Sequence, residues 1–120
     1  EIKTVSKETV LKESDFITLH VPAQKDFVIG EAELDMMKEG AALINAARGG
    51  VVNEVALVAA LDTNKLSFAG LDTFENEPTP AVQILMNSKI SLTPHIGAAT
   101  NQAQDRIGSE LASQIISILK

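Results

Sequence analysis

Four short apolar runs constrain this chain more than any other feature: "DFITLH" (15–20), "AALINAA" (41–47), "LSFAGLDTF" (66–74) and "ISLT" (90–93). They are too short for helices and lack the polar alternation of a strand with one wet face. Such runs read as buried strands. Between them lie segments of helical character. "SKETVLKES" reads as a short helix with Ser6 as N-cap. "EAELDMMKEG" predicts a helix from Glu31 to Glu39, with Leu34 and Met37 on one face and Gly40 as its stop. Asn53 can cap "EVALVAALDT", a further helix covers 80–87, and Thr100 can cap a last one. In that last helix Ala103, Ile107, Leu111, Ile115 and Leu119 recur every fourth residue. Alternation of helix and buried strand defines an α/β chain. We expect a parallel sheet with right-handed crossovers and helices on both faces.

Composition removes several functional classes. A length of 120 residues suits one domain or a large part of one, and 45% apolar residues can build a core. A net charge of -6 without a Lys/Arg cluster argues against nucleic acid as partner. The absence of cysteine excludes disulfides and thiolate metal sites, and is compatible with a cytoplasmic location. No apolar run is long enough for a membrane helix, so no membrane partner is expected. The two histidines lie far apart, so no metal site is expected.

In parallel α/β sheets, ligands sit at the carboxyl ends of the strands. That rule selects His20 to Pro22, Ala46 to Gly50, Asp72 to Pro78 and Thr93 to Ala98, where nearly every unusual residue falls. Arg48 can present a planar fork to a carboxylate, although a surface arginine at a strand end is the blander reading. Gly49 and Gly50 allow close backbone approach or positive φ. His95, framed by Pro94 and Gly97, is a candidate acid/base. His20 lacks that framing and takes a structural reading.

"DTFENEPTP" (72–80) places three acids after a strand. A histidine that exchanges a proton with a carbonyl works better beside a carboxylate, and Glu75 and Glu77 are both available. Pro78 restricts the backbone of Glu77 to extended conformations. Asp72, nearer the strand, is placed where an acceptor can meet an amide of a bound cofactor.

In this order, "ESDFITLHVP", "INAARGGVVNE", "GLDTFENEP" and "LTPHIGAAT" resemble the D-isomer-specific 2-hydroxyacid dehydrogenases from about Ser6 to the end of the chain. The resemblance implies part of a doubly wound, parallel, Rossmann-type α/β sheet with helices on both faces, NAD as cofactor and a small 2-hydroxy or 2-keto acid as substrate. Arg48 would bind the substrate carboxylate and carbonyl oxygen. His95 would exchange the proton, and Glu77 rather than Glu75 would pair with it. Asp72 would meet the nicotinamide carboxamide. Val21, Pro22, Ala46, Ala47, Gly97 and Ala98 would line the cofactor, beside Arg48 and His95. A homo-oligomer is also expected.

The chain departs from the family pattern at one end. The glycine-rich phosphate loop G-x-G-x-x-G and the acid that reads the adenosine ribose are not in this sequence, and both are expected before residue 1. Residues 1–120 are therefore expected to be the C-terminal portion of a dinucleotide-binding domain, without the G-x-G-x-x-G half and without the substrate domain. The family also includes non-enzymatic transcriptional corepressors that keep the same triad. "NAARGG" and "TPHIGAAT" look more like the metabolic enzymes.

Overall fold

A computed structural model describes residues 2–120. Helix α1 (Lys7–Glu13) leads into β1 (Phe16–Leu19), followed by α2 (Glu31–Met36), β2 (Ala41–Asn45), α3 (Glu54–Asp62), β3 (Leu66–Leu71), α4 (Val82–Met86), β4 (Ile90–Leu92) and α5 (Asn101–Leu119). The predicted caps form. Ser6 Oγ accepts from the amide of Thr9 at 3.1 Å, Asn53 Oδ1 from Ala56 at 3.1 Å, and Thr100 Oγ1 from Ala103 at 3.1 Å. Each satisfies a donor that the helix start leaves without a partner.

Helix α2 ends at Met36, before the expected Glu39. The chain must turn within 37–40 to enter β2. Met37 takes an extended conformation, Gly40 adopts φ 76°, and the Gly40 amide donates to Lys65 O at 2.9 Å. A tertiary contact at the foot of β3 thus takes the place of the last helical turn.

The strands form one sheet in the order β1-β2-β3-β4, and every pairing is parallel. Right-handed crossovers that always step in the same direction put every crossover helix on one side. Accordingly α1 packs on α2, α2 on α3 and α3 on α4. Coverage of both faces would need a reversal of strand order, which residues 2–120 do not contain. The parallel α/β sheet is as expected, and the crossover helices of residues 2–120 pack as one layer. The covered face carries Ile17, Leu19, Leu43, Ala69 and Leu71, all buried. On the other face Phe16 is 78% and Phe68 41% exposed. Leu43, Leu57, Leu61 and Leu66 are fully enclosed, each stabilising the fold by about 1.5–3 kcal/mol.

Helix α5 stands apart from this core. None of its residues is buried, and Ile107, Leu111 and Ile115 of its apolar stripe are exposed.

Candidate active site

Because the strands are parallel, the segments after Leu19, Asn45, Leu71 and Leu92 all emerge at one edge of the sheet. There the chain builds two neighbouring features, a histidine–carboxylate pair and an arginine loop.

The histidine turn begins where β4 runs out. Thr93 N still donates to Leu71 O at 3.0 Å, and His95 then takes φ 56°. Left-handed backbone is uncommon outside glycine, although histidine visits it more than most residues. It persists only where surrounding contacts impose it. Asp72 supplies them. Its Oδ1 accepts from Thr93 Oγ1 at 2.6 Å and from Ile96 N at 2.9 Å, and its Oδ2 from Gly97 N at 3.0 Å. A Cβ on Gly97 would lie 3.2 Å from Oδ2, so the close approach permitted there is to Asp72. Burial pushes the Asp72 carboxyl up, but the hydrogen bonds from Thr93, Ile96 and Gly97 together outweigh it and hold the group below the usual aspartate value.

This turn aims His95 at Glu77. Nδ1 of His95 lies 2.7 Å from Glu77 Oε2, and Glu77 Oε1 accepts from the Phe74 amide at 3.1 Å. The His95 hydrogen bond, then the Phe74 amide, hold the Glu77 carboxyl below the ordinary glutamate value. An ionised carboxylate only accepts, so Nδ1 carries the proton and Nε2 is left to exchange one. Glu77 precedes Pro78 across a cis peptide bond. One cavity borders the pair, lined by Phe74, Pro78, Leu92 and Thr93 beside Glu77 and His95.

Glu75 has a different place. Its Oε1 accepts from the Glu54 amide at the start of α3, at 2.9 Å. The two acids left open by sequence are thereby separated, one on the histidine and the other on a helix.

The arginine loop follows β2. Arg48 is exposed and lines a second cavity with His20, Val21, Pro22, Ala46 and Ala47. Its Nη1 donates to Ala47 O at 2.7 Å. No hydrogen bond joins Arg48 to Glu77 or His95 among the described residues. The expected catalytic residues therefore share the carboxyl edge, and only His95 and Glu77 touch. His20 is exposed at the rim of the second cavity, and its Nε2 lies 2.9 Å from Thr18 Oγ1. Ala98 O accepts from Gln104 Nε2 at 2.5 Å, just beyond the histidine turn.

Sequence reasoning missed Asn45 and Glu54. Asn45 is 2% exposed; its Oδ1 accepts from Ala47 N and its Nδ2 donates to Arg48 O, both at 3.1 Å. It folds the arginine loop from beneath. A lone amide inside "ALINAA" was the available signal, since buried polar groups need partners. Glu54 showed no signal beyond its place in the first turn of a helix.

The second cavity lies at the carboxyl ends of β1 and β2. Its small side chains at Val21, Pro22, Ala46 and Ala47 leave room for a flat ring. Asp72 uses three of about four carboxylate acceptor positions, which leaves one for an amide donor.

The sequence model of the D-isomer specific 2-hydroxyacid dehydrogenase NAD binding domain matches residues 1–97, and the chain belongs to that family. It is 45% identical over 118 residues to a glyoxylate reductase of Thermococcus litoralis, an alignment covering 97% of this chain and 36% of that protein. It is 40% identical over 122 residues to a D-3-phosphoglycerate dehydrogenase of Archaeoglobus fulgidus, covering 99% of this chain and 23% of that one. The crystal structure of a glyoxylate reductase from Paecilomyes thermophila superposes with TM-score 0.82 and 36% identity, over 97% of this chain and 36% of the other. The chain thus spans well under half the length of the relatives it matches.

Proposed function

We propose that this chain is the C-terminal portion of the dinucleotide-binding domain of an NAD-dependent dehydrogenase that interconverts a short D-2-hydroxy acid and its 2-keto acid. The observation that carries the proposal is the 2.7 Å pair of His95 Nδ1 and Glu77 Oε2, set at the carboxyl edge of the parallel sheet.

Bound NAD supplies a two-electron acceptor for the hydride leaving C2 of the hydroxy acid. The chain's own residues handle the proton and the charge. Nε2 of His95 takes the hydroxyl proton as the carbonyl forms, and returns it in the reverse direction. Glu77 holds the tautomer that leaves Nε2 basic and stabilises the imidazolium that results. Arg48 swings its guanidinium from Ala47 O to the substrate carboxylate and carbonyl oxygen, where a fork grips two oxygens at once. Asp72 offers its remaining acceptor to the nicotinamide carboxamide. Val21, Pro22, Ala46, Ala47, Gly97 and Ala98 line the cofactor. The glycine-rich phosphate cradle lies in the preceding half of the domain.

Within this class we propose D-3-phosphoglycerate as substrate, from the resemblance of the four linked motifs to D-3-phosphoglycerate dehydrogenases. Glyoxylate is the second reading, favoured by the 45% identity to a glyoxylate reductase. Steady-state kinetics of the full-length enzyme on both substrate pairs decides between them. A higher kcat/KM for D-3-phosphoglycerate supports the first reading. NAD binding without turnover of any 2-hydroxy acid overturns the enzymatic reading and favours a corepressor. We also propose a cytoplasmic homo-oligomer. Exposed Ile107, Leu111 and Ile115 on α5 support the second point. No described helix is long and apolar enough to cross a membrane.

A further inference from the structure

We infer that Glu54 is a positioning residue that fixes the arginine loop against the loop carrying Glu77. The inference rests on the dehydrogenase reading above for its kinetic consequence, and on geometry alone for its structural one.

Glu54 and Glu75 clasp each other's backbone. The Glu75 amide donates to Glu54 Oε1 at 2.7 Å, and the Glu54 amide donates to Glu75 Oε1 at 2.9 Å. Beside this clasp Gly49 lies flat on the same segment. A Cβ there would overlap Phe74 O and come within 2.6 Å of its carbonyl carbon. Two consecutive amides of this segment therefore have separate duties. That of Phe74 holds Glu77, and that of Glu75 holds Glu54. Any slip of 74–75 relative to α3 moves the carboxylate on His95 and the loop behind Arg48 together.

A helix start does not need this arrangement. Asn53 already caps α3, and a first-turn glutamate facing water gives the same dipole benefit. Instead Glu54 is 7% exposed and forms no ion pair among the described residues. Burial raises its carboxyl above the ordinary glutamate value, and the charge of Glu75 adds to the rise. A buried acid without a cation costs stability. The clasp is what that cost maintains.

The test compares Glu54→Ala, Glu54→Gln and Glu75→Ala in the full-length enzyme. Glutamine keeps an acceptor oxygen for the Glu75 amide. Alanine at 54 removes it. Glu75 is exposed, so its alanine variant opens half of the clasp without touching the core. Two quantities are read: kcat and KM, and the titration of the Glu77 carboxyl by NMR. We expect Glu54→Ala to lower kcat/KM by up to about 100-fold, the scale of a 1 Å misplacement. Its Glu77 carboxyl should return toward the ordinary value, Glu54→Gln should restore both quantities, and Glu75→Ala should move both by less. If Glu54→Ala does not fold, the Glu75→Ala measurements decide the matter. A Glu77 titration and kinetics unchanged in the folded alanine variants, with only Tm lowered, overturn the inference. A Glu77 titration that moves in an enzyme inactive on all 2-hydroxy acids overturns the proposed function and leaves the clasp standing.

Discussion

The duties proposed for His95, Glu77, Arg48 and Asp72 are distinct, and substitutions separate them. His95→Ala removes the proposed proton carrier and is expected to lower kcat by about 10² to 10⁴-fold in the full-length enzyme, with NAD affinity nearly kept. Equal losses in both, by steady-state kinetics and calorimetry, would contradict an acid/base role. Arg48→Lys keeps the charge and loses the fork. It is expected to raise KM for the hydroxy acid strongly while leaving the Kd for NAD in place, and a wild-type specificity constant would contradict it. Asp72→Asn tests the anchor of the histidine turn. An amide has one acceptor oxygen, so at least one of the bonds from Thr93, Ile96 and Gly97 is lost. The expected cost is about 1–2 kcal/mol in thermal or urea unfolding. The Asp72 carboxyl is held down in the folded chain, so its contribution is present above the ordinary aspartate value of about 3.9 and fades as pH falls below it. The stability gap between wild type and Asp72→Asn should therefore close below about pH 4, and a constant gap would show that the carboxylate charge is not what anchors the turn.

Helix α3 is the hub of the arrangement. It is capped by Asn53, clasped by Glu54 and Glu75, and seated on the core through Leu57 and Leu61. Asn53→Ala is expected to cost about 1 kcal/mol, the usual worth of such a cap. Leu57→Ala is expected to cost about 2–5 kcal/mol, because the side chain is fully enclosed. Urea unfolding measures both. Asn53→Ala keeps the backbone amide that donates to Ile29 O at 2.9 Å and ties the loop after β1 to the start of α3, so kcat/KM is expected to stay near the wild-type value. A strongly lowered kcat/KM in Asn53→Ala would show that the cap serves the site as well as stability.

The sheet, taken as a layer, is unfinished on two sides. Among the described residues, strand β1 lies at the edge and pairs only with β2, and Phe16 and Phe68 stand exposed on the uncovered face. An open edge with unpaired amides and carbonyls invites another strand. The 120-residue chain purified by itself is therefore expected to self-associate. It is also expected to bind NAD weakly, because no glycine-rich loop and helix start are present within it to hold the pyrophosphate. Sedimentation and calorimetric titration check both, and a monomer with ordinary dehydrogenase affinity would refute the placement of this chain within the domain.

Local chemistry was enough to place most elements. Strand runs, the caps at Ser6, Asn53 and Thr100, and the concentration of odd residues at strand ends are short-range properties, legible wherever side chain and neighbouring backbone settle the matter between them. Glu77 and His95 were legible as a pair only through linked motifs. Their spacing in sequence says nothing of distance until β3 and β4 lie side by side. Where long-range contacts compete with local preference, the chain alone was silent. The early end of α2 follows from Gly40 meeting Lys65 O. The single-sided helix layer follows from a strand order that never reverses. The roles of Asp72 as anchor and of Glu54 as clasp depend on backbone amides 24 and 21 residues away along the chain. Hydrogen bonds of that reach are made by packing, and no window of neighbouring residues contains both ends.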